Sequence, residues 1–339
     1  MHARRHADPE VVVVTGASSG VGRAVAHAFA RRGARLGLIA RDRSGLDAAC
    51  AEVAALGGEA IPLPADVADS AQVDRAAQTA EERLGPIDVW VNDAMATVFA
   101  PFLEIDPEEY RRATEVTYLG CVHGTMSALR RMVPRDRGVV VQVGSALAYR
   151  AIPLQAPYCG AKFAIRGFTD SVRSELLHRR SRVWLTMVQL PAVNTPQFSW
   201  CRSKLEYHPQ PVPPIYQPEV PAEAIVRAAH QRRREIWVGA STIKAIVGNR
   251  LAPGFADRYL ARNGFRAQQD EHRPVGPREG NLFAPVAERA ATHGIFDDRA
   301  RSVSVQTWAT THRSLLVNVG LGMVAASLAL TGAVRLARS

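Results

Sequence analysis

The chain has 339 residues, 47% of them hydrophobic and 22% charged, a balance that describes a globular protein with a sizeable core and excludes wholesale disorder. Its formal net charge is +10, yet the arginines are scattered, with Arg232-Arg233-Arg234 the only run of three, so a nucleic-acid groove is not expected. The four cysteines, Cys50, Cys121, Cys159 and Cys201, share no Cys-x-x-Cys spacing and read as reduced cytosolic thiols, neither a disulfide framework nor a metal site.

No apolar run follows Arg4-Arg5, so a signal peptide is not expected. Val11 to Val14 is a β-branched run of the kind buried on both faces of a parallel sheet. It leads into Thr15-Gly16-Ala17-Ser18-Ser19-Gly20-Val21-Gly22 and then a helix from about Arg23 to Arg31. Strand, glycine turn and helix N-terminus make an anion cradle, because free N–H groups and the positive helix end converge on one point. The spacing is Gly-x-x-x-Gly-x-Gly, and the missing side chains let the backbone approach a pyrophosphate. A second strand spans Arg35 to Ala40. An acidic residue that would hold an unphosphorylated ribose belongs near its end, but Ala40 stands there and Arg41 follows. A guanidinium suits a 2′-phosphate, so NADP(H) is favoured and NAD(H) remains possible.

Helices are expected over Ser44 to Leu56 and Ser70 to Leu84, strands over Ala60 to Leu63 and Ile87 to Val91. Asp66-Val67 fall where an adenine edge would be met, and Asn92-Asp93-Ala94 end the fourth strand. Pro107 to Met132 reads as one long helix. Gly138 to Val143 is a fifth strand that delivers Ser145 at its carboxyl end, where open α/β sheets bind ligands. Alternation of short apolar strands with longer helices is the βαβ pattern, giving an α/β class with a Rossmann-type doubly wound parallel sheet.

Downstream, Tyr158 and Lys162 are four residues apart and so share one helical face. An ammonium beside a phenol favours the phenolate and is expected to lower its pKa. Lysine is informative in this chain, which holds only Lys162, Lys204 and Lys244 among 42 basic residues.

In order and spacing, Thr15-Gly16-x-x-x-Gly20-x-Gly22, Asp66-Val67, Asn92-x-Ala94, Ser145, Tyr158-x-x-x-Lys162 and Pro191-x-Val193-x-Thr195 resemble the short-chain dehydrogenase/reductase family, in its compact single-domain branch. The resemblance implies an NADP(H)-dependent oxidoreductase that moves hydride to or from a carbonyl or alcohol carbon. It implies Tyr158 as general acid in reduction and base in oxidation, Lys162 as its pKa modulator and ribose ligand, and Ser145 as the group that polarises the substrate oxygen. Thr15, Gly16, Ser18, Ser19, Gly20, Val21 and Gly22 would serve the pyrophosphate. Asn92, Ala94 and Val116 would flank adenosine and ribose, with Pro191, Val193 and Thr195 on the nicotinamide side. The chain departs from the family pattern at Asp93 and Met95, where Asn and Gly are usual, at Ala192 in place of Gly, and at Thr117, which stands where a relay asparagine is usual. Thr117 can still order a water. These departures leave open a cofactor-binding interaction protein without catalysis.

Residues 192–221 hold seven prolines and are expected to form an irregular substrate loop, with Phe198, Trp200, Tyr207 and Tyr216 either facing a bulky lipophilic substrate or fixing the loop to the core. A helix over Ala222 to Gln231 and a strand over Glu235 to Val238 complete a dinucleotide-binding domain at 1–240. Residues 241–312 read as a helical extension, interrupted at Pro253-Gly254, followed by a polar linker from Gln268 to Gly294. Ser314 to Val334 carries no charge for 21 residues, about 31 Å as a helix, so 313–335 is a candidate membrane-spanning or docking helix. The expected arrangement is a cytoplasmic catalytic part held at a membrane by its C-terminus, acting on a small-molecule carbonyl or alcohol as a homo-oligomer, with lipid contact through 313–335 and no metal or nucleic acid.

Overall fold

In the computed structural model, residues 9–286 and 290–313 are described. The first half of the chain runs β1 (Val11–Thr15), α1 (Gly20–Ala30), β2 (Arg35–Ala40), α2 (Arg43–Ala55), β3 (Glu59–Pro64), α3 (Ser70–Leu84), β4 (Val89–Asn92), β5 (Val98–Phe99), α4 (Pro107–Thr114) and α5 (Gly120–Met132). It continues through β6 (Val139–Ser145), α6 (Ala156–His178), β7 (Trp184–Leu190), β8 (Ala192–Val193), α7 (Gln197–Trp200), β9 (Arg202–Ser203), β10 (Tyr207–Pro209) and β11 (Ile215–Tyr216). The last elements are α8 (Glu219–His230), β12 (Glu235–Trp237), α9 (Ala240–Leu251), α10 (Pro253–Ala267), β13 (Gln269–Pro274), β14 (Ala300–Arg301) and α11 (Val305–Thr311).

Seven strands form one parallel sheet in the order β12-β7-β6-β4-β1-β2-β3. The β1 valines show why it is covered on both sides. All four are at most 1% exposed, and their alternation sends Val12 and Val14 into a core with α1, α2 and α8. Val11 and Val13 point the other way, into a core with α3 and α5. Each such side chain contributes roughly 2 kcal/mol of burial. Because β2 and β4 flank β1 on opposite sides, the strand order reverses there, and a crevice opens at the carboxyl ends of β1 and β4.

The long helix expected over Pro107 to Met132 is helical throughout but contains a π turn at Glu115–Leu119 between α4 and α5. The break near Pro253-Gly254 is real: α9 ends at Leu251 and α10 restarts with Pro253 in its first turn, a position where the missing N–H costs nothing.

Two expectations need correction. The 192–221 loop is not irregular, for it folds into α7 and four short strands: β8, β9, β10 and β11. The 268–294 stretch is not a linker. β13 pairs with β10, Arg278 bridges Ser203, and β14 joins β11 beside β8. Farther on, α11 packs on α8 and β12, with the Gly239 N–H donating to the Thr307 hydroxyl at 3.0 Å. The polar residues that resembled a spacer are spent on backbone pairing with the body. The charge-free stretch 314–334 lies outside the described residues; among those described, no helix is long and apolar enough to cross a membrane.

Candidate functional site

A cavity of about 890 Å³ occupies the crevice at the carboxyl ends of β1, β4, β6 and β7. Its floor at one end is the glycine turn, which contributes Gly16, Ser18, Ser19, Gly20 and Val21. Gly16 has φ of +73°, and a Cβ there would lie 2.9 Å from the Ala94 backbone. A Cβ on Gly22 would sit 2.4 Å from the Gly16 carbonyl oxygen. The turn is therefore closed to side chains at both points, and Ser19, which precedes α1, makes no side-chain cap, while Ser19, Gly20 and Val21 line the cavity. That arrangement fits a pyrophosphate.

β6 ends in Ser145, and α6 begins with Pro157 in its first turn and then presents Tyr158 and Lys162 on one face. Tyr158 and Ser145 line the same cavity, and the Ser145 hydroxyl accepts the Leu147 N–H at 3.1 Å. Lys162, only 4% exposed, donates from Nζ to the Val143 carbonyl at 2.7 Å and lies 5.4 Å from the Tyr158 ring centre. The electrostatics differ from expectation. Burial pushes the Tyr158 phenol up, against the opposing effect of the Ser145 hydroxyl, and the Cys159 and Asp93 charges push the same way. Burial likewise lowers Lys162, opposed by Asp93 and Cys121. Lys162 is thus anchored beside the phenol by the Val143 carbonyl.

Asp93 faces the same cavity, with its carboxyl beside Gly22. Enclosure pushes it up to about 7, against the charge of Lys162 and a hydrogen bond from the Gly22 backbone. A carboxyl in the place of a neutral amide was legible as a departure in the sequence; its enclosure with Lys162 was not.

Several other expected residues also reach the cavity: Arg41, Asp66, Val67, Ala94 and Val116 at one end, and Pro191, Val193 and Thr195 at the other. Four expected site residues stand behind it. The Thr15 hydroxyl accepts from the Asp93 and Ala94 N–H groups at 3.0 and 3.1 Å, so it shapes the wall and does not line it. Gly22 serves through the clearance just described. The Asn92 amide donates to Thr125 and Gln142 and accepts from Trp90 Nε1 at 2.8 Å, deep inside the sheet. Thr117 is 1% exposed in the π turn, and its hydroxyl donates to the Ala96 carbonyl at 2.8 Å while accepting the Ala96 N–H at 2.9 Å. With its donor and one acceptor site spent on the Ala96 backbone, Thr117 is a clamp on the 94–97 turn and does not line the cavity.

Arg41 is placed where expected but is engaged differently. Its guanidinium donates to the carbonyls of Asn281 and Phe283, the latter at 2.9 Å. Leu282 between them is fully buried, and Arg112, ion-paired with Asp66, also donates to its carbonyl. The same strap of chain returns at Ala291, whose carbonyl accepts the Gly20 N–H at 2.9 Å, and at Ala290, whose carbonyl accepts from Arg23. Its composition gave no signal for this, because peptide carbonyls, not distinctive side chains, make the contacts.

The substrate end also held surprises. Phe198 and Trp200 line the cavity, but Phe198 also packs edge-on against Phe296 at 5.9 Å, and Tyr216 is buried in the sheet core. The loop aromatics therefore serve mainly to fix the loop. The remaining wall comes from α9, α10 and the Ala252 junction between them, including Ala245, Gly248, Ala256 and Leu260.

With this geometry in hand, comparison with known proteins is informative. The family model for short chain dehydrogenase matches residues 10–205. An uncharacterized oxidoreductase, YxnA, of Bacillus subtilis is 32% identical over 318 residues, 93% of this chain and 89% of that one. A 3-dehydrosphinganine reductase of Danio rerio is 33% identical over 193 residues, 56% of this chain and 58% of that one. Among solved structures, a metagenomic short-chain oxidoreductase in complex with NADP superposes with a TM-score of 0.57 at 26% identity, covering 68% of this chain and 96% of that one.

Proposed function

Because the chain belongs to the short chain dehydrogenase family of oxidoreductases, we propose that it is an NADP(H)-dependent enzyme interconverting a lipophilic carbonyl compound and its alcohol. The observation that carries this reading is the convergence of Ser145, Tyr158 and Lys162 on one cavity whose other end is the glycine turn. The NADP complex of a structural relative supports the cofactor. Within this chain, the turn from Gly16 to Val21 would hold the pyrophosphate, Asp66, Val67 and Val116 the adenosine, and Arg41 is the candidate for a 2′-phosphate. A relative named for 3-dehydrosphinganine supports a lipophilic substrate, as does the apolar wall of α9 and α10.

When bound, the cofactor supplies the hydride. Ser145 Oγ hydrogen-bonds the substrate oxygen and polarises the carbonyl, and Tyr158 gives that oxygen its proton in reduction or takes it in oxidation. Holding the phenol protonated suits its role as proton donor when a carbonyl is reduced. Lys162, anchored on the Val143 carbonyl, keeps an ammonium beside the phenol and stabilises the phenolate left after transfer.

Tyr158→Phe removes only a hydroxyl. Its NADPH-dependent turnover of ketones is expected to fall by roughly 10²–10⁴-fold, with NADPH affinity, followed by fluorescence titration, nearly unchanged. Turnover retained in the variant would refute the catalytic assignment, and absence of turnover in the wild type across aldehydes, ketones, steroids and retinoids would favour a cofactor-binding protein without catalysis.

A further inference from the structure

The hairpin of α9 and α10 lines the cavity and also forms its outer lip. That lip carries the largest exposed apolar side chains near the cavity mouth: Leu251 is 78% exposed, Phe255 70% and Tyr259 55%. Phe255 and Tyr259 stack on each other, with ring centres 6.5 Å apart, and both also line the cavity, so the apolar surface runs from the interior out over its lip. Spacings of three and four place Arg258 and Arg262 on the same side of α10 as these rings. Across 240–267 there are five cationic side chains and a single carboxylate, Asp257, and that carboxylate is already paired with Arg150. Arg250, Arg258 and Arg262 are exposed and have no ion pair among the described residues.

Water is a poor match for this surface. Exposed aromatic rings cost hydration, and a cluster of unpaired guanidinium groups repels itself. Both costs fall at the headgroup boundary of an anionic bilayer, where rings bury among acyl chains and each cation near the surface gains attraction to phosphate. A second copy of this chain would bring the same positive field to the contact, so charge complementarity favours anionic lipid over self-association.

We propose that the outer face of α9 and α10 seats the mouth of the cavity on an anionic membrane surface, so that a lipophilic carbonyl substrate enters from lipid along the ring pair of Phe255 and Tyr259. This rests on the reading of the cavity as the site of a lipophilic substrate. It is independent of residues 314–334, which a vesicle experiment must keep in the chain while altering only the hairpin.

The test uses the full chain and vesicles of phosphatidylcholine, with and without phosphatidylglycerol, at low and high salt. The wild type is expected to sediment with the anionic vesicles at low salt and to be released at high salt. Arg258→Glu with Arg262→Glu lies outside the cavity, and it is expected to weaken this partition about tenfold or more while NADPH-dependent reduction of a short water-soluble ketone is kept. Amide exchange over 250–266 is expected to slow on vesicle addition. Equal binding to neutral vesicles, full binding by the double variant, or unchanged exchange in α10 would overturn the proposal. So would a dimer in sedimentation velocity that Phe255→Ser dissolves, since a second copy would then cover the face. A wild type that binds no anionic vesicles yet turns over ketones removes only the docking surface, whereas turnover that survives Tyr158→Phe removes the reading of the site.

Discussion

For Tyr158, enclosure in the cavity wall raises the phenol's pKa, and the Asp93 charge pushes it the same way. The phenol, Lys162 and Asp93 share a poorly hydrated wall, where each charged form is penalised before any partner is counted. The glycine turn shows the same dominance of space over chemistry. Gly22 makes no contact with the cavity, yet a methyl group there would meet the Gly16 carbonyl oxygen and the Asp93 carboxyl at 2.4 and 2.9 Å. Backbone on one side and an enclosed carboxyl on the other leave little to yield. Gly22→Ala is therefore expected to cost about 1–3 kcal/mol in thermal unfolding and to weaken NADPH binding at least tenfold, since the cradle must open to admit it. A variant that melts and binds as the wild type does would mean the turn is more pliable than its contacts indicate.

At the scale of elements, a buried carboxylate helps tie the substrate loop to the body. Glu109 on α4 is 3% exposed and accepts from Arg202 Nε at 2.5 Å, from Lys204 at 3.0 Å and from the Asp106 N–H at 3.0 Å. Burial works against its charge, but the Asp106 N–H and the two cations hold it below the usual carboxylate range. A carboxyl whose pKa is depressed on folding contributes stability above its unfolded pKa, and that stability is lost as pH falls through the folded one. Glu109→Gln removes that charge, while Lys204 keeps Asp106 and Arg202 keeps Glu279, and is expected to cost about 1–3 kcal/mol at neutral pH. In urea titrations the gap between variant and wild type should narrow as the pH drops below about 4. A gap independent of pH would assign the loss to packing. The π turn between α4 and α5 is a second device of this scale, because it turns Thr117 inward onto Ala96.

For the whole molecule, the segment after α10 turns an open Rossmann crevice into a covered one. From β13 to β14 it crosses the substrate loop, then the adenosine end, then the glycine turn, held largely by backbone carbonyls. Leu282 is its buried peg, packed in the core with α3 and α5. Leu282→Ala is expected to weaken the seating by roughly 3 kcal/mol, so trypsin should cut at Arg278 severalfold faster than in the wild type. Bound NADPH should restore protection if cofactor and strap are held together. Cleavage at an unchanged rate would show that the carbonyl contacts of Arg41 and Arg112 hold the strap without the peg.

Local patterns along the chain specify the sheet, the succession of strands and helices, and the placing of Ser145, Tyr158 and Lys162 at one end of it. Each of these follows from local rules: alternation in Val11 to Val14, a glycine turn between strand and helix, and a four-residue spacing on α6. Only the tertiary structure decided what Arg41 grips, that Thr15, Asn92 and Thr117 support the wall from behind, and that 268–294 covers the crevice. Those outcomes depend on contacts between residues as far apart as Arg41 and Phe283. They are made by peptide groups that every residue carries, and so no residue pattern along the chain encodes them in readable form.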